Sequence, residues 1–199
     1  MKNIVIRNGC NVAFLLMIIQ FMGCVENIRE ASSDTIAASI KQVPRSDKQH
    51  LAWFAPELQV SNYRTLFYGY DTVDYRLAGS GDTKNRMNEV FRLLIEAQYG
   101  GNVRHYAFAK LSDKSTLEIN HYQHDTEECK IYNSLISSCL YRDRFNLNLS
   151  RSDLENASNT GLQLFLTSGE QNYEQIDLPP NYIQGVLKAI EVSESKQVH

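Results

Sequence analysis

The chain has 199 residues, a formal net charge of −3 and 43% hydrophobic residues. That hydrophobic content supports a packed core and excludes a compositionally disordered chain, and the length suits one ordinary domain plus a leader and a tether. No long Lys/Arg run occurs, so the electrostatic footprint of nucleic-acid binding is missing and no nucleic-acid partner is expected. Eleven Tyr and eight Phe against one Trp and four Pro favour a strand-rich body, because aromatic side chains suit pleated, half-buried surfaces.

Residues 1–23 have the form of a signal peptide. Lys2 and Arg7 make a positive start, and Val12 to Ile19 form an apolar run. That run is too short to cross a hydrocarbon layer of about 30 Å, which needs roughly 20 residues, but it matches a secretory leader. Gly23 supplies the small residue expected before a cut. The sequence Phe21-Met22-Gly23-Cys24 resembles the lipobox of bacterial lipoprotein signals. The resemblance implies that Cys24 becomes the first mature residue and carries the lipid, and that Cys10 leaves with the leader. Val25 is not Asp, which in that family implies the outer membrane of a Gram-negative cell, with the domain facing the periplasm. An anchor of this kind is stable because it carries more than one acyl chain.

Residues 24–50 are rich in Ser, Asp and Ala, and Ile28, Ile36 and Ile40 complete no helical face. A flexible tether is expected there. A single globular domain is expected over 51–192, and a polar, disordered tail over 193–199.

Within the domain, Val90 to Tyr99 is the clearest strand. Phe91, Leu93, Ile95, Ala97 and Tyr99 share one face at period two, with Arg92, Glu96 and Gln98 on the other. Gly100-Gly101 predicts a turn into a partner strand over Val103–Ala109. Asp113-Lys114 turns the chain into Thr116–Tyr122, and Phe145, Leu147 and Leu149 alternate in a further strand. Ser152 and Glu155 have the spacing of a capping box for a short helix that Gly161 could end. Leu162–Thr167 and Tyr173–Leu178 read as a hairpin. Pro179-Pro180 then opens a helix with Tyr182, Ile183, Val186, Leu187 and Ile190 on one face. The expected fold is mainly β, an antiparallel sheet or sandwich with a short helix and a C-terminal helix packed on it. An α+β arrangement is the alternative. From Gly161 through Ile190 the chain resembles the ends of small exported bacterial lipoproteins of uncharacterised function, which pair a hairpin with a Leu-Pro…Tyr-Ile helix. That resemblance implies no activity.

Cys129 and Cys139 are the two thiols left in the mature chain. An oxidising compartment predicts a disulfide between them. His121 and His124 lie beside Asp125, Glu127 and Glu128, but on a strand they point to opposite faces, and a tight zinc site needs three or four convergent ligands. No metal, no cofactor and no catalytic residue is assigned. Nucleophile-elbow and phosphate-loop patterns are missing, and Gly79-Ser80-Gly81-Asp82 reads as a turn. The most unusual patch is Tyr63 to Tyr70, continuing to Tyr75-Arg76, where aromatics interleave with Arg as in binding surfaces. Alternation nominates Arg64, Tyr68 and Tyr70 as a candidate binding face. The sequence thus points to a lipid-anchored, non-enzymatic binding or assembly module of the cell envelope, with another envelope protein or a cell-wall component as partner. An envelope hydrolase whose site converges only in three dimensions is the alternative.

Overall fold

The computed structural model describes residues 27–44, 50–65, 69–82, 90–133, 136–168 and 171–195. They form a mainly β domain, a curled antiparallel sheet with a C-terminal helix. In chain order the elements are α1 (Ser33–Ser39), β1 (Lys41–Pro44), β2 (His50–Phe54), β3 (Leu58–Thr65), β4 (Gly69–Asp82), β5 (Val90–Gly101), β6 (Phe108–Leu111), β7 (Thr116–Asn133), β8 (Ile136–Leu149), α2 (Arg151–Ala157), β9 (Leu162–Ser168), β10 (Gln171–Leu178) and α3 (Pro180–Ser195). The sheet order is β1-β2-β4-β5-β8-β7-β6-β9-β10, with β3 also paired to β4.

Alternation sets the inner face. Val73, Tyr75 and Leu77 of β4, Phe91 to Tyr99 at every second position of β5, and Phe145, Leu147 and Leu149 of β8 are all buried. The expected polarity of the Val90–Tyr99 strand therefore holds. Leu93 pairs with Leu77 on one side and Leu147 on the other, a continuous apolar row across three strands. The sheet curls until β10 faces β4, and the Tyr75 hydroxyl donates to the Asp177 carbonyl at 3.0 Å. Tyr182, Ile183, Val186 and Ile190 of α3 are buried against this core, so the predicted helical face is the one that packs. Burying each such side chain contributes roughly 1.5–3 kcal/mol.

Several local expectations give way. Residues 102–107 make no strand, and β5 pairs with β4 and β8 instead of returning on itself. Gly79-Ser80-Gly81 lies inside β4, not at a turn. A Cβ on Gly79 would meet the Trp53 ring at 2.3 Å, so this glycine makes room for the indole. The cap of α2 is Ser150, whose hydroxyl accepts from Asp153 N–H at 3.1 Å, while Asp153 accepts from Ser150 N–H at 2.8 Å. The capping box is thus two residues earlier than Ser152 and Glu155. α3 also continues to Ser195, three residues into the expected tail.

The largest departure is at the N-terminal side. Residues 27–44 of the expected tether are part of the body. Ala31 and Ile36 are buried, and Ile28 and Ile40 pack against the core. Ile36 sits over Gly185 of α3, where a Cβ would come within 2.7 Å of it. Arg29 donates to the Tyr75 hydroxyl, Lys188 pairs with Asp34, and the Asn181 amide donates to the Arg29 and Ala31 carbonyls at 3.1 and 2.6 Å. A sequence with one seated isoleucine shows no helical stripe, yet the glycine notch and the amide clamp hold it. Residues 24–26 and 45–49 lie outside the described residues.

Candidate functional site

β5 leaves the sheet at Gly101 (φ 101°), and His105 takes φ 45°. This irregular run puts Arg104 and Tyr106 inside and His105 outside. The Arg104 guanidinium donates to Asp71 on β4, to Glu174 on β10 and, at 3.2 Å, to the Tyr106 hydroxyl. It also lies 4.2 Å from the centre of the Tyr99 ring. A buried cation costs several kcal/mol unless paired and hydrogen-bonded. Here it ties the two facing walls of the curled sheet together. Burial alone would lower the Arg104 pKa, but Tyr106 and Asp71 outweigh it and hold the group above its ordinary range.

Beside this pair lies a second polar group. Asp143 of β8 is 0% exposed. Its Oδ2 accepts from the Tyr99 hydroxyl at 2.6 Å, and its Oδ1 lies 2.6 Å from His124 Nδ1 on β7. Tyr122 also hydrogen-bonds to Asp143. Burial pushes the Tyr99 and Tyr122 hydroxyls above their ordinary range, and the Asp143 carboxylate adds to the shift. Burial raises Tyr106 as well. These phenols are therefore neutral at neutral pH.

His124 and Tyr122 are reachable because β7 loses its outer neighbour. β6 pairs only with Thr116, Leu117 and Glu118, so among the described residues β7 is an edge from Ile119 onward. The exposed flank is aromatic. The His124 ring stacks on Tyr141 at 5.3 Å and Tyr122 stacks on Phe145 at 6.0 Å. If Nδ1 donates to Asp143, Nε2 is the nitrogen left to accept a proton or a ligand hydrogen bond. Flat rings, an imidazole and a buried carboxylate behind it suit either ligand recognition or proton transfer.

No protein-family model, no curated protein and no solved structure matches the chain.

The residues nominated from sequence fall in different places. Cys129 and Cys139 are register partners on β7 and β8, with sulfurs 2.01 Å apart and Cα atoms 4.0 Å apart, forming a disulfide. Cys24 and Tyr68 lie outside the described residues, as do the side chains of Arg64 and Tyr70. Of the described backbone there, Tyr63 pairs with Tyr70 and Thr65 with Gly69 across β3 and β4, with an irregular register between Tyr63 and Thr65. Of its continuation, Tyr75 is core, and Arg76 lies over the Phe54 ring at 5.3 Å.

Among the described residues no group of three or more His, Cys, Asp or Glu is placed to hold a metal. Asp125 and Glu127 pair instead with Arg144 and Arg142, which also reach Glu96. The register shift between Asn120 and Gln123 and the φ of 53° at His121 break the simple alternation assumed for the two histidines.

The Arg104 and Asp143 groups were not legible in advance. Their members come from β4, β5, a loop, β7, β8 and β10. The one local signal was a charged residue between aromatics in Tyr99 to Tyr106.

Proposed function

We propose that this chain is an exported envelope lipoprotein, anchored through lipid on Cys24 and acting as a non-enzymatic binding or assembly module. The observation that carries the reading is the Cys129–Cys139 bridge on a strand pair of which Cys129 is exposed. A bridge so accessible to cellular reductants persists in an oxidising compartment, which is where a leader ending in Gly23-Cys24 would deliver the chain. The domain faces the periplasm from the outer membrane, and its partner is another envelope protein or a cell-wall component. The buried charges favour binding over catalysis, because Arg104 is engaged by Asp71 and Glu174 as an internal brace.

Two surfaces are candidates for the partner: the Arg64, Tyr68 and Tyr70 segment, and the Tyr122–His124 flank. Tyr68→Ala with Tyr70→Ala should abolish capture of a co-purifying envelope partner if the first is used, and Tyr122→Ala should do so if the second is used. Anchoring is tested separately. Cys24→Ser should move the protein from the membrane fraction to the soluble exported fraction, and retention in the membrane would sink the anchor.

The hydrolase reading draws on one observation, the 2.6 Å contact between His124 Nδ1 and the buried Asp143. A carboxylate in that position orients an imidazole as a general base. In that case His124→Gln should remove activity on a cell-wall ester or amide substrate while leaving the fold intact.

A further inference from the structure

The docked segment changes what a lipid on Cys24 would do. Resting on the anchor reading above, we infer that the domain does not float on a tether but is held with its Asn27–Ala31 corner against the headgroup layer of the bilayer. The corner is part of the fold. Glu30 and Ala31 N–H groups close a turn on the Asn27 carbonyl at 2.8 and 3.0 Å, Ala31 is buried, and the Asn181 amide clamps the Arg29 and Ala31 carbonyls.

From Cys24 to Asn27 there are three Cα–Cα steps, which span at most about 11 Å in any conformation. A lipid on Cys24 therefore keeps the corner within about 11 Å of the acylated residue, whatever the angle of the domain. Glu30, exposed at this corner, stays near the bilayer in every orientation. The other end of the sheet does not. Tyr75, which Arg29 contacts, pairs with Ile95, and Gly101 lies six residues further along β5 opposite Cys139. That is about 20 Å away at the rise of a strand. Asn102, exposed just past Gly101, marks that end. The bridged ends of β7 and β8 lie there, with Cys139 opposite Gly101, where a partner in the compartment can reach them, while His124, paired with Asp143 in register with Ala97, lies between the two ends. The surface assigned to lipid is thus the turn and the adjoining starts of α1 and α3.

The test uses the full-length lipidated protein in phosphatidylcholine vesicles carrying a headgroup-attached nitroxide quencher. Intact mass is read first, because absence of acyl mass on Cys24 overturns the anchor reading and this inference with it. Single Glu30→Cys and Asn102→Cys variants are then labelled with a small thiol-reactive fluorophore. With Cys24 acylated and Cys129 bonded to Cys139, each introduced thiol is unique. The label at Glu30→Cys should be quenched several-fold more than the label at Asn102→Cys. Inserting a twenty-residue Gly/Ser linker between Glu26 and Asn27, with a root-mean-square reach of about 25 Å, should bring the first label down to the level of the second. Acylated protein whose two labels are quenched equally, or whose Glu30 label is unaffected by the linker, overturns the inference while leaving the anchor standing.

Discussion

Replacing Gly185 with Ala sets two effects of opposite sign against each other. In a helix interior Ala is favoured over Gly by about 0.8–1 kcal/mol, so the exposed-helix expectation is a gain. Here the new Cβ would sit 2.7 Å from Cβ and Cγ2 of Ile36 and 2.8 Å from the Ser33 carbonyl oxygen. None of these atoms is the free end of a flexible side chain, so relief requires α1 to move as a unit. Overpacking of this kind costs about 1–3 kcal/mol. Lifting α1 instead exposes Ile36, now 0% exposed, at roughly 1.5–3 kcal/mol. Either route offsets or exceeds the propensity gain. Net of that gain the variant should lose up to about 2 kcal/mol, or up to roughly 4–8 °C of Tm for a domain of this size. Hydrogen exchange should show the amides of α1 losing protection while those of α3 keep theirs. A variant that is stabilised by about 1 kcal/mol with α1 still protected would refute the docking of residues 27–44.

Tyr182→Phe keeps the ring but removes a hydroxyl that accepts from Leu77 N–H at 3.1 Å and donates to the Pro56 carbonyl at 2.8 Å. The buried amide left without its partner should cost about 1–3 kcal/mol, and a change under about 0.5 kcal/mol in denaturant melts would contradict this. Leu93→Arg should destabilise the domain severely by burying an unpaired charge, while Arg92→Leu on the opposite face should change little; equal effects on melting would invert the assigned faces. Burial raises the pKa of Tyr182 and Tyr75, as it does for Tyr99, Tyr106 and Tyr122. Their stabilising contribution is complete below the unfolded value of about 10 and falls as pH rises above it, because the unfolded chain releases these protons first. Alkaline titration should show the tyrosinate absorbance of these five rising in a cooperative step that coincides with loss of circular dichroism; all eleven tyrosines titrating without unfolding would contradict that burial.

The inner face of β5 and the packed face of α3 were readable because each repeats a simple period over many residues. The pairing of β9 with β10 was readable for a related reason, since two apolar runs flank a short polar stretch of sequence. What failed depended on distant partners. Ile36 is one apolar residue in a polar stretch, and only Gly185, far along the chain, gives it a seat. Gly79 carries a turn signal by composition, but the Trp53 ring packed against it makes it a strand residue. Arg104 and Tyr106 alternate like a strand, yet they are inside because Asp71 and Glu174 from opposite walls meet the guanidinium. The Cys129–Cys139 pairing was readable from the expected oxidising compartment, with Cys10 set aside in the expected leader and Cys24 as the expected lipid site. Asp143 gave no signal at all, because its neighbours Tyr99, Tyr122 and His124 meet it only across strands.

The proposed anchor is open to a single direct measurement, the mass of the N-terminal peptide of the mature protein. A lipid-anchored chain should give a peptide beginning at Cys24 with the added mass of its acyl groups. A mature chain that begins elsewhere, or a Cys24 peptide with no acyl mass, would contradict it.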